Sequence, residues 1–184
     1  MGDSAWSMTR NWNENDINGF SSYAQSKLNE YAKNGTKMDC ADLALSILIG
    51  YASDNGLPLQ LTTADGKTTF DSNSDNFNTV TDYQSAVTSG ISANDIPSNT
   101  FSVDKSDKQT GDMILLTKPV NHVASYSSVN PNKLTYGNLT DDGVSTTVKT
   151  TGDWSNASTD AYNRKIQYYP DKKHVNRWNV LKIK

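Results

Sequence analysis

The sequence predicts an α+β fold: helices in the first part of the chain, then an antiparallel sheet of about five or six strands. Three observations predict it. Apolar residues recur every three or four positions before residue 55, the helical period. From Gly111 onward the period shortens to two, the period of strands. The composition is also skewed, with 21 Ser, 19 Thr, 20 Asn and 18 Asp against only two glutamates, Glu14 and Glu30. Small polar side chains compete for nearby backbone groups and favour caps and turns, whereas Glu is a common filler of exposed helix faces. Few helices and many turns follow, and helices before strands define the α+β class.

Residues 16–33 form the first predicted helix, on a stripe of Ile17, Phe20, Ala24, Leu28 and Tyr31, with Asn15 or Asp16 as its cap and Asn34-Gly35 as its stop. The second runs over 40–54. Its apolar residues, among them Leu43, Leu45, Ile47, Leu48, Ile49 and Tyr51, surround it almost completely, which marks a buried central helix. Asp39 stands at its N-cap and Asn55-Gly56-Leu57-Pro58 ends it. A short hairpin around Ala64-Asp65-Gly66 and a third helix over 77–89 follow. The strands are expected at 113–117, 122–129, 134–139, 144–149, 166–169 and 175–183, with turns at Asn130-Pro131-Asn132 and Asp141-Asp142-Gly143.

A net charge of −3 and a pI near 5.3 argue against nucleic acid as a partner, because phosphate binding needs a clustered basic field. No apolar run reaches the ~18 residues of a membrane span. Cys40 is the only cysteine, which excludes an intrachain disulfide and a zinc site of several thiolates. Two histidines 52 positions apart (122 and 174) and scattered Asp offer no metal-ligand spacing, so neither a metal nor another cofactor is expected. The N-terminus, Met1-Gly-Asp-Ser-Ala-Trp6, lacks the basic and apolar regions of a signal peptide.

Cys40 opens the most buried helix. A thiol there meets the positive end of the helix dipole and unpaired N–H groups, which favour the thiolate and can hold an oxyanion. Asp39 and Asp42 oppose this, since negative charge raises a thiol pKa. A cysteine nucleophile also needs an imidazole to take its proton and return it to the leaving amine. His122 starts an apolar strand at a sheet edge, whereas His174 sits in the charged turn Asp171-Lys172-Lys173. The third polar group, which orients the imidazole, should lie on the adjacent strand Leu134-Thr135-Tyr136-Gly137-Asn138. Asn138 is the best amide there, Gly137 leaves room for close approach, and Tyr136 is the substitute.

These residues resemble a family. Asp39-Cys40-Ala41-Asp42-Leu43 is similar to the nucleophile motif of NlpC/P60 domains. Thr110-Gly111-Asp112 with the apolar run after it resembles the strand before their histidine, and Asn121-His122-Val123-Ala124-Ser125-Tyr126 resembles the histidine strand itself. The stretch from His122 to Pro131 also resembles the related CHAP amidases. The resemblance spans residues 37–140 and implies a papain-like fold in a single catalytic domain, 1–184. Its parts would be an N-terminal helical segment (1–36), the nucleophile helix (37–58), an insertion (59–109) that shapes the cleft, and the sheet (110–184). It further implies amide hydrolysis through a thioester, with Cys40 attacking, His122 relaying the proton and Asn138 orienting it, supported by Asp39, Asp42 and Tyr136. The expected substrate is a peptidoglycan stem peptide, cut by an endopeptidase or amidase. An antibacterial effector toxin, secreted or delivered to the periplasm of a target bacterium and paired with an immunity protein, fits that expectation.

Two other readings stand beside it. One keeps the Cys–His pair for a protein-glutamine deamidase or transglutaminase toxin. The other is a non-enzymatic binding module, in which surface Trp6, Trp12, Trp154 and Trp178 stack on sugars.

Overall fold

The computed structural model describes residues 4–116, 121–131, 133–140, 142–151, 157–159, 165–167 and 174–183. Its first helix, α1 (Asn15–Asn34), buries Phe20, Ala24 and Leu28. It ends where Gly35 takes a positive φ of 61° and donates to Ala32 O, while Thr36 N–H donates to Tyr31 O. Neither Asn15 nor Asp16 caps the other end. Asp16 is instead drawn into a clasp: its carboxylate accepts from both Arg10 guanidinium nitrogens at 2.7 and 2.8 Å, from the Tyr51 hydroxyl at 2.7 Å and from Asn13 N–H at 2.8 Å. That clasp fixes the N-terminal arm to the helical core.

The short strand β1 (Lys37–Met38) leads into α2 (Cys40–Asp54), capped by Asp39, whose carboxylate accepts from Asp42 N–H at 2.7 Å. Ten of the 15 residues of α2 are buried, as its all-round apolar surface requires. The hairpin β2 (Gln60–Thr62) and β3 (Thr69–Asp71) follows, then α3 (Val80–Gly90) and a 3-10 helix over Ala93–Asn99. The helix begins at Val80 rather than 77 because the Thr79 hydroxyl caps Asp82 N–H. Next comes β4 (Thr100–Asp104), a strand of the main sheet lying inside 59–109. Only Phe101 and Val103 mark its alternation, too few apolar positions to stand out from the polar sequence around it.

The remaining strands are β5 (Met113–Leu116), β6 (His122–Tyr126), β7 (Leu134–Tyr136), β8 (Thr146–Thr147), β9 (Lys149–Thr151), β10 (Ala157–Thr159), β11 (Lys165–Gln167) and β12 (His174–Trp178). Five of them join β4 in a six-stranded antiparallel sheet of order β4-β12-β5-β6-β7-β9, and the class is α+β as predicted. β8 instead pairs with β1, and β10 with β11. The single strand expected at 144–149 is split because Val148 turns into the core, 2% exposed, and donates its N–H to Thr36 O. The strand expected at 175–183 stops at Trp178 and gives way to a 3-10 turn over Asn179–Leu181. His174 does not sit in a turn; it opens β12 opposite Asp104.

The sheet is apolar on both faces. Met113, Val123, Val148 and Trp178 pack with the helices in the larger core. Ile114, Ala124, Tyr126, Leu134, Tyr136 and Val175 form a second cluster on the other side. Asp112, at the start of β5, is bound through both oxygens by Arg177 of β12, at 2.8 and 2.9 Å, so the Gly111-Asp112 motif pins two neighbouring strands. Trp6 and Trp178 are core residues rather than surface platforms, 8% and 1% exposed: Trp6 packs edge to face on Tyr83 of α3 and donates its indole N–H to Leu57 O, and Trp178 of β12 joins the same cluster. Trp12 is half-buried, and Trp154 lies outside the described residues. No helix among the described residues is long and apolar enough to cross a membrane.

Candidate active site

Cys40 is the first residue of α2, partly exposed, and the backbone N–H of Val123, the second residue of β6, lies near enough to its sulfur to favour the thiolate. The backbone N–H groups of Cys40 and Ala41 act on the sulfur in the same direction. This follows from the sequence: the Asp39 cap sets the helix start one residue before the thiol, and the apolar face of α2 lays that start across β6. Burial pushes the thiol up to about 11; the backbone N–H groups pull it down and the Asp39 charge adds to the rise. The dipole and N–H groups therefore do not overcome desolvation, and the resting sulfur is a thiol.

Cys40 opens onto a cleft of about 560 Å³. Asp39 and Ala41 flank it, Asn121, Asn138 and Leu139 form one wall, and the end of α3 with the following loop, Thr88 to Asn94, forms the other. That second wall comes from the 59–109 segment. Ser89, Ser92 and Asn94 belong to it, and no spacing in the sequence could have assigned them, since they reach the cleft only through the packing of α3 on α2.

His122, the first residue of β6, is 2% exposed and is not a lining residue of the cleft, although Asn121 before it is. Its ring meets the Tyr136 ring edge to face, centroids 5.2 Å apart. Alternation along β6 turns Val123 toward the helices and turns Ala124, with the Tyr136 side of β7, toward the opposite face. The sulfur and the imidazole thus approach the start of β6 from its two sides. Of the two orienting candidates, Tyr136 carries the ring contact. Asn138 leaves the β7 ladder: its N–H donates to Met38 O at 3.0 Å, and its side-chain oxygen accepts from Leu139 N–H at 2.9 Å. Gly137 permits this crossing, since a Cβ there would stand 2.0 Å from Met38 O and 2.8 Å from Asp39 O.

The supporting carboxylates behave differently from each other. Asp39 serves the helix cap. Asp42 has one buried carboxylate oxygen, Oδ1, with no partner among the described residues. Burial first, then the Asp39 charge and a hydrogen bond to it, push the Asp42 carboxyl up to about 7. Among the described residues no group of three or more His, Cys, Asp or Glu is placed to hold a metal ion.

No protein-family model matches this chain, no curated protein is similar to it, and no solved structure matches it.

Proposed function

We propose that this protein is a cysteine-dependent amide hydrolase of papain-like, NlpC/P60-like design, acting on peptidoglycan stem peptides through a thioester. The observation that carries the reading is the cleft of about 560 Å³ onto which the Cys40 thiol opens at the first turn of α2, next to the start of β6 that carries His122. In the reaction the Cys40 proton passes to His122 as sulfur bonds to the carbonyl carbon. The N–H groups at the start of α2 hold the oxyanion. The amine leaves with the proton from the imidazolium, and water, deprotonated by His122, displaces the thiol and releases the acid. Proton transfer needs a ring nitrogen within hydrogen-bond reach of the sulfur, so on substrate binding the His122 ring has to swing round the start of β6 toward the cleft from its resting place against Tyr136. Tyr136 takes the positioning role toward His122, and Asn138, on the cleft wall, that of substrate contact.

The test is digestion of purified peptidoglycan followed by mass spectrometry of the muropeptides. Shortened stem peptides from the parent protein, absent with Cys40→Ala and reduced about 10²–10⁴-fold with His122→Ala, are expected. Intact muropeptides alongside labelling of Cys40 by a thiol probe would overturn the reading. Ammonia release from a protein glutamine without backbone cleavage would move it to the deamidase class.

A further inference from the structure

We propose that a second groove, distinct from the Cys40 cleft, binds an uncharged glycan chain bearing acetamido groups. The groove, about 440 Å³, lies beside the C-terminal end of α2. Cys40 is at the other end of that 15-residue helix, so the two sites stand about 20 Å apart at 1.5 Å of rise per residue.

Trp12 is the platform. Its indole N–H donates to Pro58 O at 2.6 Å and its ring leans on Tyr51 at 5.9 Å, leaving the half-buried indole against the groove. Tyr51 is itself fixed by Asp16, which Arg10 holds, so the ring is set before any ligand arrives. Pro58 and Val180 continue the apolar floor. A flat ring beside a small apolar floor suits the C–H face of a pyranose and an acetamido methyl.

The rim is made of amides. Gln60 and Asn73 are exposed, and their side-chain amides make no hydrogen bond among the described residues. Asn179 reaches only Ser98 O, at 3.5 Å. Each amide offers both a donor and an acceptor, the set that an acetamido group and ring hydroxyls require. Asp71, paired with Gln60 across the hairpin, is the only charged residue lining the groove among the described residues, and its carboxylate can accept from hydroxyls. With no cation among the described residues that line it, the groove does not favour phosphate or carboxylate ligands. This inference stands apart from the chemistry at Cys40.

The experiment is titration of the full chain carrying Cys40→Ala with the β-1,4-linked N-acetylglucosamine tetramer, followed by tryptophan fluorescence and calorimetry. Saturable binding is expected, abolished by Trp12→Ala and weakened at least threefold by Gln60→Ala and by Asn73→Ala. Both rim positions are exposed, so these variants test the groove even if Trp12→Ala fails to fold. A glucose tetramer, which lacks the acetamido groups, should bind more weakly. Absence of saturable binding, or binding unchanged in both rim variants, would overturn the proposal and leave peptidoglycan digestion as a separate question.

Discussion

The sulfur of Cys40 stands beside the backbone N–H of Val123, so the start of the most buried helix faces the strand that begins with His122. That N–H favours the thiolate, yet burial outweighs it. With the thiol at about 11, roughly one molecule in ten thousand is ionised at pH 7. Alkylation by iodoacetamide should therefore be slow at neutral pH and rise about tenfold per pH unit up to pH 10, measured as a rate against pH. A plateau already reached below pH 8 would instead mean a preformed thiolate–imidazolium pair.

Asp39 enters this balance with two opposing effects. Its charge raises the thiol, and its side chain caps α2. Asp39→Asn keeps a good cap while removing the charge, so it should speed alkylation at pH 8 with little change in melting temperature. Asp39→Ala loses the cap as well and should cost about 1 kcal/mol of stability. Alkylation rates and thermal melts on the same samples separate the two effects.

Asp42 gives the fold a pH dependence whose sign is opposite to that of a salt-bridged carboxylate. Its carboxyl titrates near 7 when folded and in the ordinary carboxylate range when unfolded. The folded state then binds more protons between those values, so stability is fully present below about pH 4 and is lost as pH rises to 7. Asp42→Asn removes this loss. It should melt with the parent at pH 4 and be more stable by about 1–2 kcal/mol at pH 8, a figure reduced for the half of the side chain that water reaches. Melting curves from pH 4 to 8 that stay parallel for the two proteins would exclude it.

Much of the helical part was legible because burial patterns there are local. The stripe of α1, the all-round apolar α2 and the Asp39 cap each rest on residues within a few positions of one another. The order β5-β6-β7 was equally readable, since consecutive strands pair. What escaped the sequence depends on distant partners. β4 is recognised only by its pairing with β12, more than 70 residues later, as Thr100 meets Trp178. Val148 interrupts its strand because Thr36 supplies an acceptor from the other half of the chain. Asp16 is withdrawn from capping by Arg10 and Tyr51, one on each side of it in sequence.

The site divides along the same line. Placing Cys40 at a helix start needed only Asp39, and the freedom required at Gly137 was visible as a glycine beside Asn138. The side of β6 on which the imidazole lies was not visible, because it is set by which face the helices cover. Tyr136 meets His122 on the strand side away from α2, whereas Asn138 leaves the β7 ladder to bond Met38 O.

Gly137 offers the sharpest test of how the two halves of the site are held together. Its backbone passes so close to Met38 and Asp39 that an added Cβ would meet their carbonyl oxygens at 2.0 and 2.8 Å. Backbone oxygens cannot move aside as a flexible side chain would, and here they belong to β1 and to the cap of α2. Gly137→Ala must therefore either push β1 outward, breaking the Asn138 N–H to Met38 O bond, or shift the helix start that carries the thiol. A loss of about 1–3 kcal/mol is expected, measured by denaturant unfolding. If the helix start moves, the Cys40 alkylation profile should shift with it as the sulfur moves relative to the Val123 N–H. An alanine variant with parent-like stability and reactivity would show that the β7–β1 crossing does not position Cys40.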